Sequence, residues 1–93
     1  MNIETSSRAG SMESNDILIM LHPSENDIQI DLESKVYLQY GPQILKVIQQ
    51  TLEEEDIHGV HVVARDSGAL DYTIKSRVKT AVSRAKKAGP AYE

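Results

Sequence analysis

Apolar and polar positions along this chain fall into short runs with strand-like spacing, interrupted by two longer stretches with helical spacing. The first apolar run, Ile17-Leu18-Ile19-Met20-Leu21, is continuous, which at this length predicts a strand with both faces partly covered. Met20 is expected to pack there. His22-Pro23-Ser24-Glu25-Asn26-Asp27 then reads as a turn, because Pro23 fixes its own φ and Asn26 and Asp27 can bond their own backbone. Beyond it, Ile28, Ile30 and Leu32 alternate with Gln29, Asp31 and Glu33, the period of a strand with one face on the core and one in water. The two strands are expected to pair as an antiparallel hairpin.

From Ser34 to Tyr40 the pattern fits a strand extension and an early helical turn equally well. Pro42 stands where a first helical residue would be, and Ile44, Leu45, Ile48 and Leu52 follow at amphipathic spacing, so a helix is predicted to about Glu55. Its last residues, Glu53, Glu54, Glu55 and Asp56, oppose the helix dipole. Gly59 introduces the β-branched run Val60-His61-Val62-Val63-Ala64, a third strand that Asp66-Ser67-Gly68 stops. A final helix is predicted from about Leu70 to Lys87, with Leu70, Ile74, Val78, Val82 and Ala85 on one face. Gly89-Pro90 is a stop signal.

The order ββαβα predicts an α+β fold, a two-layer sandwich in which two helices cover one face of a three-stranded sheet. Residues 1–11 are rich in Ser and Thr without an apolar period, so they are expected to form a flexible N-terminal arm. Residues 12–88 then form one domain and residues 89–93 a tail.

Composition narrows the chemistry. Ninety-three residues at 40% hydrophobic content support one modest core and no large enclosed active site. Cysteine is absent, so there is no disulfide framework, thiolate nucleophile or thiolate metal site, and any thiol chemistry must arrive on a cofactor. The N-terminus lacks a basic region followed by an apolar one, and no apolar run approaches the ~18 residues that span a bilayer. A cytoplasmic protein without membrane insertion is expected. The net charge of −4 argues against non-specific nucleic-acid binding. Residues 1–56 hold 11 acids and 3 bases, and residues 57–93 hold 3 acids and 7 bases. Each run by itself reads as a solvated face, the other reading being a polarised surface that steers the domain onto a partner.

Few side chains suggest catalysis. His58-x-x-His61 straddles Gly59 with no third ligand nearby, so it reads as surface or sheet rather than a metal site, and His22 sits in a turn. Asp66-Ser67-Gly68-Ala69-Leu70 looks superficially like the Asp-Ser-Leu site of four-helix acyl carriers, but it lies among strands and reads as a turn with a helix cap. Ser14, within Ala9-Gly10-Ser11-Met12-Glu13-Ser14-Asn15-Asp16, is also a turn residue by composition, with modification as the other reading.

That string, followed downstream by Gly59-Val60 and Gly68-Ala69-Leu70-Asp71, closely resembles the citrate lyase acyl carrier protein (gamma subunit) family over roughly Ala9 to Ala88. The resemblance implies a non-catalytic carrier with 2'-(5''-triphosphoribosyl)-3'-dephospho-CoA in phosphodiester linkage to Ser14, the position matching the modified serine. It also implies the alpha (acyl transferase) and beta (citryl lyase) subunits and a prosthetic-group transferase as partners. The carrier would hold acetyl and citryl thioesters while citrate is cleaved to acetate and oxaloacetate. One departure is Asn15, where the family commonly has Gly after the serine. Asn tolerates positive φ better than other residues with a side chain. The alternatives are a malonate decarboxylase-type carrier, which the Gly68-Ala69-Leu70-Asp71 block fits less closely, and a protein-interaction module using the charge asymmetry.

Overall fold

The computed structural model describes residues 3–86 and places six elements along them. They are β1 (Ser7–Gly10), β2 (Ile17–Pro23), β3 (Ile28–Ser34), α1 (Tyr37–Glu54), β4 (Val60–Asp66) and α2 (Asp71–Lys86). The strands form one mixed sheet in the order β1-β2-β4-β3. This corrects the expected three-stranded ββαβα fold: the sheet has four strands and the element order is βββαβα.

The additional strand comes from the segment expected to be an arm. Ser7 to Gly10 pair antiparallel with Leu21 to Leu18, and Ala9 is buried. Ser7 Oγ donates to the Ala81 carbonyl of α2 at 2.6 Å, and Arg84 Nη1 donates to the Arg8 carbonyl at 2.8 Å. A four-residue edge strand with one buried apolar side chain has no legible period. Its conformation is set by β2 and α2, a context effect that dominates strand formation generally.

The predicted hairpin is corrected as well. β4 lies between β2 and β3, antiparallel to the first and parallel to the second. Ser24 to Asp27 therefore cross two interstrand spacings, roughly 9.6 Å, which four residues easily reach. The central place suits β4, whose Val60, Val62 and Ala64 are buried on one face while Val63 is half-buried on the other. β3 presents exposed Gln29, Asp31 and Glu33 and suits an edge. Helix α1 supplies the crossover that a parallel pair requires.

α1 begins at Tyr37, ahead of the expected start at Pro42. The Gln39 and Tyr40 amides bond the Val36 carbonyl at 3.1 and 2.9 Å, so the ambiguous stretch closes as helix. Tyr37 packs against buried Gly41, where a Cβ would lie 3.0 Å from its ring. Pro42 offers no N–H to the Leu38 carbonyl, but Leu38 is 99% exposed and water is at hand. The other end is a Schellman motif. Ile57 and Asp56 amides bond the Leu52 and Glu53 carbonyls, both at 3.0 Å, with Asp56 at φ 62°. Of the terminal acids, Glu54 meets Lys75 of α2 at 3.2 Å and ties the two helices together.

One core joins the layers. Ile17, Ile19 and Leu21 of β2 and Val60, Val62 and Ala64 of β4 pack with Ile48 and Leu52 of α1 and Ile74, Val78 and Val82 of α2, all fully buried. The registers bring the end of β1, the start of β2 and the ends of β3 and β4 to one edge of the sheet, since Gly10 pairs with Leu18 and both Ile17 and Ser34 pair with Asp66. Three connections therefore meet there.

Candidate functional site

Ser14 lies in the β1–β2 connection at that edge, and its side chain is exposed. The Asp16 amide bonds the Glu13 carbonyl at 3.1 Å, closing a four-residue turn with Ser14 and Asn15 at its centre. Asn15 has φ 66°, the left-handed backbone that the third residue of a type II turn adopts. Its amide donates to the Ser67 carbonyl at 2.7 Å, and the Ser67 amide returns a bond to the Asp16 carbonyl at 2.9 Å. Two residues thus face one across the ladder, a bulge whose first position is usually a left-handed glycine. Asn15 fills the position expected to hold Gly, because its short polar side chain tolerates this conformation.

Asp16 fixes the base of the turn. Its carboxylate accepts from Ser11 Oγ and from the Ile17 amide, each at 2.7 Å, and takes a two-pronged contact from Arg77 Nε and Nη2 at 3.0 and 3.1 Å. The Arg77 hydrogen bond, with help from Ser11 and Ile17 and against partial burial, lowers the Asp16 pKa to about 2. The same bond raises that of Arg77. A carboxylate so engaged is a poor general base at neutral pH, so Asp16 positions the turn rather than activating Ser14.

Gly10 makes the approach to this turn possible. At φ 93° it passes so close to β2 that a Cβ would sit 1.9 Å from the Ile17 carbonyl oxygen and 3.3 Å from Arg77 Cδ. No other residue fits.

The Asp66-Ser67-Gly68 segment is a turn, as the sequence indicates, and it also braces the turn that carries Ser14. Buried Asp66 accepts from Ser34 Oγ at 2.8 Å and from the Gly68 and Ala69 amides at 3.0 Å each, locking the β4–α2 connection to the end of β3. Ser67 Oγ donates to the Met12 carbonyl at 3.2 Å. Sequence reasoning missed this pairing and missed Arg77. The available signal was the place of Arg77 between the core residues Ile74 and Val78, which seats it at the margin of the apolar stripe rather than on the outer face.

The histidines do not converge on the site. His58 meets Asp56 at 2.9 Å, His61 meets Asp31 at 2.7 Å, and His22 lies opposite His61 with ring centroids 6.0 Å apart. Among the described residues no three ligating side chains group together.

The sequence model of the family described as malonate decarboxylase delta subunit (MdcD), an acyl carrier family, matches residues 4–85. A citrate lyase acyl carrier protein of Halothermothrix orenii is 45% identical over 93 residues, covering 100% of this chain and 99% of the relative. That of Lactiplantibacillus plantarum is 51% identical over 94 residues, covering 100% and 98%. The chain belongs to the citrate lyase acyl carrier protein family. In structure, the carrier resembles a chain in the crystal structure of a Pseudomonas malonate decarboxylase hetero-tetramer in complex with malonate, with a TM-score of 0.74. That match covers 91% of the carrier and 88% of the other chain at 13% identity, and it speaks for the fold alone. The tip of the braced turn is open, while the chain on either side is bonded to the β4–α2 turn through Met12, Asn15 and Asp16 and to α2 through the Asp16 side chain.

Proposed function

We propose that this carrier serves citrate lyase, holding acetyl and citryl groups as thioesters during cleavage of citrate to acetate and oxaloacetate, on the phosphoribosyl-dephospho-CoA group that 2'-(5''-triphosphoribosyl)-3'-dephospho-CoA leaves on Ser14 as diphosphate departs. The observation that carries the reading is an exposed serine in a turn that Ser67 secures at Met12 before it and at Asn15 and Asp16 after it, in a chain 45–51% identical to citrate lyase carriers over its full length. When bound, the group supplies the thiol that a cysteine-free chain lacks.

The chain's own residues contribute presentation. Ser14 supplies the oxygen for the phosphodiester. Asn15 and Ser67 hold the turn in its open shape, and Asp16 with Arg77 keeps its base fixed, so that motion resides in the arm rather than the domain. A tether of this kind raises the local concentration of the acyl group at each active site it reaches. Activation of the Ser14 hydroxyl is left to the transferase, since Asp16 is held as a bonded carboxylate. The partners on this reading are the alpha and beta subunits in the cytoplasm, and the carrier itself is non-catalytic.

Reconstitution with purified alpha and beta subunits tests the assignment. The modified carrier should support citrate cleavage, and Ser14→Ala should support none while melting at the same temperature. The description of the matching family supports a second reading, a malonate decarboxylase-type carrier. Activity with malonate decarboxylase subunits and none with those of citrate lyase would favour it.

A further inference from the structure

The large apolar side chains that remain exposed among the described residues are Met12, Tyr37, Leu38, Tyr40, Leu70 and Tyr72. All six belong to the connections and first helical turns at the Ser14 edge of the sheet. Met12 is in the Ser14 connection and its carbonyl is bonded by Ser67. Leu70 closes the β4–α2 turn that starts at Ser67, and Tyr72 opens α2. Tyr37, Leu38 and Tyr40 form the opening of α1. Between Tyr40 and Leu70 runs a groove of about 410 Å³ walled by Val36, Ile44 and Ala69. Gly68 also lines it, and a Cβ added there would lie 3.6 Å from Asn15 Oδ1, so groove and turn adjoin. Grouped exposed apolar residues mark interaction sites, whereas scattered ones need no explanation.

We propose that this apolar collar is the face by which the carrier docks onto a partner protein that inserts an apolar side chain into the Tyr40–Leu70 groove and sets basic residues against Glu13 and Asp71. The proposal rests on the reading of Ser14 as a tethering site. Charge at the collar selects the occupant. The exposed charged side chains of its connections and first helical turns are Glu13, Lys35 and Asp71, while Asp16 is held by Arg77 and Asp66 is buried. This small acidic excess complements a basic protein rim and opposes an anionic lipid surface, which requires clustered Lys and Arg. A second copy is the wrong occupant, because a two-fold interface centred on the collar would cover the Ser14 hydroxyls that a transferase has to reach. Aromatic side chains are also the type enriched where proteins dock.

Titration calorimetry of the full carrier against purified alpha and beta subunits tests the collar. Leu38→Asp and Leu70→Asp alter exposed side chains and should leave the melting temperature unchanged while weakening binding to at least one subunit tenfold or more. Glu25→Lys, in the β2–β3 connection at the opposite edge, should bind as wild type. Wild-type affinity in both collar variants overturns the proposal. So does a wild-type dimer that Leu38→Asp dissociates, which assigns the collar to a second copy, or binding of wild type to phosphatidylserine vesicles that Leu38→Asp abolishes. Intact mass of the same samples separates this from the tether: an adduct on Ser14 with unaffected binding defeats only the collar, and absence of any adduct defeats the reading beneath it.

Discussion

Arg77 grips Asp16 through both carboxylate oxygens, joining the middle of α2 to the residue that closes the Ser14 turn. The Asp16 side chain is 15% exposed and that of Arg77 40%, so the pair is partly screened, and Arg77→Ala should cost about 1–2 kcal/mol in urea denaturation. Arg77→Lys should recover only part of this, because an ammonium cannot repeat the two-pronged contact.

The same pair sets an acid limit. Because the Asp16 pKa falls from 3.8 to about 2 on folding, its contribution is complete above pH 3.8 and is lost as pH drops toward 2. The stability gap between wild type and Arg77→Ala should narrow across that window and stay constant above it. A gap that does not change on acidification would contradict the assignment.

Asn15→Gly should leave stability within about 0.5 kcal/mol of wild type, since glycine accepts φ 66° without strain. Asn15→Val should lose about 1–2 kcal/mol, the price of placing an ordinary side chain in left-handed backbone. Hydrogen exchange should show the Ser67 amide, which bonds Asp16, opening faster in the valine variant.

Gly10→Ala introduces a Cβ 1.9 Å from the Ile17 carbonyl oxygen at a positive φ. The β1–β2 ladder has to shift, and a loss of more than about 3 kcal/mol is expected. Circular dichroism during denaturation, with the Ala9 amide followed by exchange, checks this.

The parts of the fold that are legible in the sequence are those whose residues declare their own period. β3 alternates, β4 is a β-branched run and α2 repeats its apolar stripe through Ile74, Val78 and Val82, and all three are strands or helix as expected. β1 was hidden because Ala9 is its one buried apolar residue and its bonds go to β2 and α2. Insertion of β4 between β2 and β3 was equally hidden, because a turn such as Ser24 to Asp27 suits a hairpin and a split one alike. At the candidate site, the turn around Ser14 and the backbone demand on Asn15 were legible. The brace from Ser67 and the clamp from Arg77 were not, since they join residues 52 and 61 positions apart that only the β2–β4 pairing and the docking of α2 bring together.

Intact mass spectrometry of the carrier isolated from its native host tests the central claim, that Ser14 bears the tether. A covalent adduct with the mass of the phosphoribosyl-dephospho-CoA group is expected, released from a peptide containing Ser14 and missing from Ser14→Ala. An unmodified wild-type mass, or an adduct that survives Ser14→Ala, would contradict it.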